Sequence, residues 1–334
     1  MLKGVSIKPN RTSAHTDTPL TNLLVAHYQA DEAFIADKVF PTLPVSRSTD
    51  IFYEVPRGAM NRLQMQERAR GAKPTQGGFD YKKQTYSCDI YALKVGVTDE
   101  DEIDFDNVIE WDNEATNFLA LQCKLNREIT WNNKFFKEDV WGTDKVGVDA
   151  TPSGEQFLQW NDAGSDPIND IKSANVEMLR RTGFMANTLT LPYEVYSELT
   201  EHPDVIDRVK YGQTAGAPAM VNKQTLAQLF EVDEVLIGYA VQNNAAESAD
   251  ENAEDDHNFI LPKGALLTYK PRVVGRRTPS AGYNFVWNAY SANGMRMRSN
   301  RDDEALTDFH IVDDAYDQKT VSVDLGVYFK DVIA

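Results

Sequence analysis

Two prolines, Pro41 and Pro44, constrain the first part of this chain more than any other feature. A proline ring fixes φ near about −65° and disfavours helix at the preceding residue, so Phe40–Val45 is predicted to be extended. The apolar side chains in and just before this stretch are Phe34, Ile35, Val39, Phe40, Leu43 and Val45. Exposed apolar patches usually mark contact surfaces. We therefore predict an N-terminal arm that contacts another molecule through Phe34, Ile35, Phe40 and Leu43.

Composition narrows the class of protein. The 334 residues suffice for one large or two modest domains. A formal charge of −17 argues against general nucleic-acid binding, because attraction to phosphate requires clustered lysine and arginine. No apolar run has transmembrane length, and the start lacks a signal-peptide core, so no membrane partner is predicted. Cys88 and Cys123 lack metal-ligand spacing and are predicted to be free thiols.

Catalytic and metal-binding motifs are missing from the sequence. It contains no HExxH, GxSxG, GxGxxG or P-loop pattern, and its five histidines are scattered. We predict that the chain is not an enzyme and binds no cofactor or metal. The acidic run Ala245–Asp256 could offer Asp250, Asp255 and Asp256 to calcium. It lacks the glycine and ligand spacing of an EF-hand, so a solvated surface loop is the preferred interpretation.

Charge is sorted into blocks of opposite sign. Arg57–Lys83 and Lys270–Arg301 are basic, whereas Asp99–Glu114 and Asp302–Asp317 are acidic. This arrangement suits one segment docking onto another, and separately solvated faces remain the alternative. The docking hypothesis pairs a basic loop with an acidic surface. Its candidate residues are Arg62, Arg68, Arg70 and Lys73 on the loop, and Asp99, Glu100 and Asp101 on the surface.

Periodicity predicts the main elements. Alternating residues near Ile51–Val55 and Tyr86–Val97 indicate two strands, and the Gly-, Arg- and Gln-rich stretch between them should project as a hairpin loop. A long helix is predicted over about 106–136, with one apolar stripe. The residues of that stripe are Trp111, Ala115, Phe118, Leu121, Leu125 and Ile129.

Further along, strands alternate with helices, which indicates an α/β unit. Asp166 is the predicted N-cap of one helix, with Pro167 in its first turn and Gly183 just past its end. From Phe259 the chain is predicted to be β structure that returns to the strands beside the long helix.

Several phrases, in order along nearly the whole chain, resemble the major capsid proteins of tailed bacteriophages with the Hong Kong 97 fold. They are FIADKVFPTLPV at Phe34–Val45, VTDEDEIDF at Val97–Phe105, NTLTLPYEVYSELTEHPDVIDRVKYG at Asn187–Gly212 and LAQLFEVDEVLIGYAV at Leu226–Val241. The order and spacing of these phrases carry the resemblance.

The resemblance implies an α+β, Hong Kong 97-like capsid fold with five segments. They are an N-terminal arm (1–49), an extended β-hairpin loop (50–98), a peripheral domain with a spine helix (99–164), an α/β axial domain (165–262), and return strands that complete the peripheral domain (263–334). In this family the extended loop lies across the neighbouring subunit, and we expect the same use here.

The expected function is that of a structural protein. The resemblance implies self-assembly into the hexamers and pentamers of an icosahedral virion shell, which encloses double-stranded DNA without binding it specifically. The short stretch before the hairpin implies a separate scaffolding protein, and portal and decoration proteins are further expected partners. Assembly is expected in the host cytoplasm. Two alternatives stay open: an encapsulin-type nanocompartment shell, and a soluble α/β enzyme.

Overall fold

The computed structural model describes residues 28–54, 58, 61–100, 111–212, 221–245, 255–275, 278–290 and 294–334. The chain divides into two compact units. The first comprises 1–29, 92–122 and 297–312, and the second comprises 30–91, 123–296 and 313–334. Described residues of the strand Asp89–Thr98 (β4), the helix Trp111–Phe135 (α2) and the strand Thr307–Thr320 (β14) belong to both.

A six-stranded mixed sheet is the centre of the second unit. Its order is β6 (Gln156–Leu158), β5 (Thr143–Val148), β15 (Gly326–Lys330), β11 (Ala265–Thr268), β7 (Thr188–Pro192) and β8 (Glu234–Gly238). β11 runs antiparallel to both of its neighbours, whereas β5 with β15 and β7 with β8 are parallel pairs. Its central strands are buried on both faces, as expected when other elements cover each side.

Four helices pack against one face of this sheet. They are α3 (Pro167–Thr182), α4 (Tyr193–Glu201), α5 (Pro203–Gly212) and α6 (Lys223–Leu229). The sequence fixes the ends of α3 as predicted: the Asp166 side chain accepts the Asn169 N–H at 3.0 Å, and Gly183 closes the helix with φ 81°. Apolar side chains of these helices form one core with strand residues such as Val235, Leu267 and Phe329.

The opposite face of the sheet covers a second core. Successive side chains of a strand point to opposite faces of the sheet. Leu236, Leu266 and Tyr328 each adjoin a residue of the first core in the sequence, so they point to this second side. They pack with Trp131 and Phe135 from the end of α2 and with the arm. The arm here consists of a 3₁₀ turn (Asp31–Ala33), α1 (Ala36–Val39) and β1 (Thr42–Val45).

Further strands of the second unit extend from the arm. β1 runs parallel to β12 (Gly282–Trp287), which pairs antiparallel with residues 316–320 of β14. β2 (Thr49–Glu54) and β3 (Lys82–Ser87) form a hairpin, with Thr49 opposite Ser87 and Glu54 opposite Lys82; β3 lies mostly before the strand predicted at Tyr86–Val97. β9 (Val241–Asn243) and β10 (His257–Phe259) flank the acidic insertion as a second hairpin.

In the first unit, β4 and β13 (Met295–Asp302) each pair with β14. Gly96 of β4 lies against the Phe309 ring so closely that an added Cβ would be 2.7 Å from it. The Lys94 ammonium lies 4.5 Å from the centroid of the same ring. The helix part of this unit is the N-terminal half of α2, and the predicted helix start near residue 106 lies outside the described residues.

Two sequence predictions about elements were wrong. Not all return strands pair with the strands that flank the long helix: β14 pairs with β4 and β15 with β5, as predicted, whereas β11 pairs with β15 and β7, and β12 pairs with β1 and β14. Of the predicted stripe of α2, Ala115 is buried, but the other buried positions follow a different face. The buried positions are Ala115, Leu119, Cys123, Arg127, Glu128, Trp131 and Phe135, whereas Phe118 is 41 % exposed and Leu121, Leu125 and Ile129 are half-buried.

Candidate assembly surfaces

The arm turns inward at residues 33–40. Ile35 and Phe40 are 1 % and 0 % exposed, and Phe34 is also buried. The Phe40 ring lies 4.9 Å from the Phe135 ring and 6.0 Å from the Trp131 ring, centroid to centroid. An added Cβ on Gly282 would lie 2.4 Å from the same ring, so only glycine allows this approach.

The candidate contacts of the arm therefore need a correction. Phe34, Ile35 and Phe40 do not form an exposed patch, because the chain buries them in its own core. Leu43 is half-buried beside the cluster of Tyr86 and Phe285. The sequence correctly marked these side chains as too apolar for water, but it did not indicate which surface covers them.

Charged groups hold the same part of the arm. Glu128 on α2 accepts the N–H groups of Ile35 and Ala36 on its Oε2 atom, at 2.9 and 2.8 Å. Arg127 donates two hydrogen bonds to Asp314, both of 2.7 Å, and one of 3.0 Å to Asp37. Sequence reasoning missed this cluster, since charged residues in a helix normally indicate its solvated face.

The hairpin loop has the opposite character and packs little against the rest of the chain. The described residues between β2 and β3 contain neither helix nor strand from residue 61 to residue 81. They are held by local bonds, including Gly78 N–H to Gln64 Oε1 at 2.9 Å and Arg68 to the Ala72 carbonyl at 2.8 Å. The structure leaves all four predicted basic residues exposed; they are Arg62, Arg68, Arg70 and Lys73.

This loop also exposes large apolar side chains that the sequence analysis did not single out. Leu63 and Met65 are both 86 % exposed, and Tyr53, Phe79 and Tyr81 are about half exposed. The apolar–polar–apolar order of Leu63-Gln64-Met65 is the sequence pattern that could have indicated these exposed apolar side chains. Within the described part of the chain, none of the four basic side chains forms an ion pair. The hairpin is thus a basic and apolar surface with few partners in its own subunit.

The proposed acidic partner surface is partly occupied within the chain. Arg301 donates to both carboxylate oxygens of Asp99, at 2.9 and 2.7 Å, and also to Asp308 at 2.7 Å. These hydrogen bonds lower the pKa of Asp99. Glu100 is exposed, and Asp101 lies outside the described residues. Opposite charge blocks do meet, but in this case inside one subunit.

The described residues include no cluster of three or more His, Cys, Asp and Glu that could hold a metal. His202 is buried and has a local structural role, since its Nδ1 accepts the Asp204 N–H at 3.3 Å. In the acidic insertion, Asn243 Oδ1 accepts the Asp256 N–H at 3.0 Å, and Asp250 lies outside the described residues. No helix in the described part of the chain is long and apolar enough to span a membrane.

Comparison with known proteins identifies the architecture. The chain is 26 % identical over 289 residues to the major capsid protein of Burkholderia phage BcepMu, covering 80 % of this chain and 82 % of that protein. No family model matches the chain. Among solved structures, a phage-related protein from Bordetella bronchiseptica RB50 is 21 % identical, with a TM-score of 0.66 over 91 % of this chain and 93 % of the other.

Two more distant structures share the fold. The capsid protein of cyanophage P-SCSP1u is 14 % identical with a TM-score of 0.61, over 95 % of this chain and 93 % of that one. The SrpI encapsulin of Synechococcus elongatus PCC 7942 is 11 % identical with a TM-score of 0.55, over 95 % of each chain. The structural likenesses show the Hong Kong 97-like α+β fold, and the sequence relative confirms the predicted resemblance to phage major capsid proteins.

Proposed function

We propose that this capsid protein assembles into hexamers and pentamers that form an icosahedral head around double-stranded DNA. The observation that carries the proposal is the β2–β3 hairpin, whose basic and apolar side chains have so few partners in their own subunit. A neighbouring subunit would cover this surface. Many weak contacts made at once then give the shell a high overall avidity.

The basic loop is proposed to contact an acidic surface of the adjacent subunit. Glu100 and Asp101 are the better candidates there, because Arg301 already neutralises Asp99. Exposed ion pairs contribute only ~0–1 kcal/mol each, so Arg68→Ala alone should change little. Placing several like charges opposite each other should instead block assembly.

Charge reversal tests this contact. The variant R68E/R70E/K73E should stay folded but form no particles at low salt, as seen by electron microscopy of concentrated protein. High salt should restore some assembly, since exposed charges are screened beyond about 10 Å at 0.1 M. Adding E100K and D101K should rescue it, with Asp99 left intact to retain Arg301. Normal particles from the triple variant, or no rescue, would show that the loop contacts another surface.

A separate scaffolding protein, a portal protein and a decoration protein are proposed partners, with assembly in the host cytoplasm. These follow from the similarity to a phage major capsid protein, and co-purification from phage-infected cells would test them. The shared fold with an encapsulin supports a second candidate, a nanocompartment that holds protein cargo. Nuclease-protected DNA inside purified particles supports the phage head, and cargo protein without DNA supports the nanocompartment.

A further inference from the structure

The C-terminal end of α3 exposes an apolar surface within the second unit. Val176, Leu179, Phe184 and Met185 are 56, 41, 38 and 46 % exposed. Val176 and Leu179 lie on successive turns of one helix face, and the turn at Gly183 places the other two beside the helix end. The Phe184 backbone is held by a 3.1 Å hydrogen bond to Thr182 Oγ1. We call these four residues and Arg180 the α3 patch.

Arg180 differs from its neighbour Arg181. Arg181 has partners within the chain: it donates hydrogen bonds to Asp324 at 3.1 Å and to the Gly142 carbonyl at 2.8 Å. Arg180 is exposed and, among the residues that the structure describes, contacts no acidic partner. The α3 patch therefore combines apolar side chains with one free cation, which is a typical composition for the centre of a protein interface.

A complementary surface lies elsewhere in the same unit. A cleft of about 730 Å³ is lined by the apolar and aromatic residues Tyr193, Leu236, Ile237, Tyr239 and Phe259 and by the charged residues Glu32, Lys38, Lys223 and Glu234. Tyr193 is 50 % exposed and is the first residue of α4. Three glutamates, Glu194, Glu198 and Glu201, follow it at spacings of four and three residues, so they share one face of the helix.

These glutamates are costly for an isolated subunit. Like charges at this spacing repel, and the helix dipole disfavours anions in the last turn of α4, which has no basic residue. None of the three forms an ion pair within the described ranges. A cation from another molecule would remove both penalties. We call the cleft together with these glutamates the α4 surface.

We propose that the α3 patch of one subunit docks on the α4 surface of a second copy of this chain. Phe184 and Met185 then face the apolar and aromatic side of the cleft, and Arg180 faces Glu194 and Glu198. Glu198 lies ~7.5 Å beyond Tyr193 along α4, and Arg180 lies ~4.5 Å before Gly183 along α3, so each charged group lies within two helical turns of the apolar part of its surface. Because the two surfaces differ, the contact is head-to-tail, which is the type of contact that builds a ring when the rotation between copies closes. The inference rests on the proposed assembly into rings and specifies one interface of it.

Charge exchange tests the pairing. Arg180→Glu should reduce the yield of rings and particles about tenfold or more, because like charges across an interface are strongly unfavourable. Adding E194R and E198R should restore the yield. Arg208→Glu is the matched control, since Arg208 is an exposed arginine on the neighbouring helix α5 and belongs to neither surface. Circular dichroism should show that all variants keep the wild-type fold.

Cross-linking tests the proximity directly. The variant R180C/E198C should form a ladder of disulfide-linked oligomers under mild oxidation, ending at the ring size. The control N169C/E198C should not, because Asn169 lies ~16 Å away at the other end of α3. This interface alone would be overturned if the wild-type protein forms particles, the R180C/E198C variant gives no ladder, and Arg180→Glu gives a normal yield. Wild-type protein that stays monomeric at high concentration would overturn the proposed assembly as well.

Discussion

The carboxylate of Glu128 accepts the backbone N–H of Ala36 at 2.8 Å, at the first residue of α1. The same oxygen accepts the Ile35 N–H, so one side chain of the long helix fixes the start of the short arm helix. Burial raises the pKa of Glu128 to about 7; these two hydrogen bonds oppose the rise, Asp37 adds to it and Lys38 reduces it. The arm is thus attached through a buried acid that titrates near neutral pH.

This attachment should depend on pH. The pKa of Glu128 in the folded chain lies above its ordinary value of 4.5, so the folded state binds the proton more tightly. The contribution of Glu128 to stability is therefore fully present below about pH 4.5 and is lost as the pH rises to about 7. Glu128→Gln keeps the acceptor oxygen and removes the titration, so its unfolding free energy should fall less between pH 5 and pH 8.

Urea unfolding at several pH values measures the difference between the two proteins. Glu155→Gln is the control, because Glu155 is exposed and no buried contact depends on it. Parallel pH profiles for wild type and Glu128→Gln would mean that Glu128 does not titrate in this range.

The ion pair between Arg127 and Asp314 predicts a large loss on truncation. Asp314 is 1 % exposed, and each of its two carboxylate oxygens accepts a hydrogen bond from Arg127. Arg127→Met should cost roughly 3–5 kcal/mol of unfolding free energy, because it leaves a buried carboxylate unpaired. The double variant R127M/D314L should recover part of that loss, since it removes the uncompensated charge. A double variant less stable than Arg127→Met would contradict this explanation.

Phe40 connects the arm to the core, so its removal should affect folding before assembly. Phe40→Ala should lower the unfolding free energy by about 3–5 kcal/mol, because it leaves a cavity among Trp131, Phe135 and Trp141. Leu43→Ala, at a half-buried position of the same arm, should cost clearly less. Equal losses in chemical denaturation would argue that the two sites are equally buried in solution. Deleting the chain through Val45 should likewise destabilise the fold itself.

The elements predicted correctly from sequence are those that local chemistry determines. Asp166, Pro167 and Gly183 specify both ends of α3 by capping and backbone preference. Alternation specified β2 and most of β4, although one strand predicted over Tyr86–Val97 is divided at Cys88. The order of motifs along the chain also indicated the resemblance to phage major capsid proteins before any geometry was considered.

Contacts between residues far apart in the sequence could not be predicted in the same way. An apolar arm can be covered by its own chain or by a neighbour, and the residues Phe34, Ile35 and Phe40 look identical in either case. The core face of α2 includes Cys123, Arg127 and Glu128, so apolar periodicity selected Phe118, Leu121 and Leu125 instead. Similarly, nothing local distinguishes the partners of β11 from those of β12, because strand pairing depends on residues far apart in sequence.

Gly183 offers a test of how backbone conformation positions the α3 patch. Its φ is 81°, a left-handed conformation, and nothing lies within 4 Å of where a Cβ would be. Gly183→Ala should therefore cost about 1–2 kcal/mol through backbone strain alone, without a steric clash. Gly275→Ala is the matched control, because its Cβ would meet only ordinary contacts at 3.6 Å and its φ is not left-handed. If thermal unfolding shows the same loss for both, strain at φ 81° does not explain the requirement for glycine. If only Gly183→Ala is destabilised and its ring yield also falls, the turn that orients Phe184 and Met185 contributes to the interface.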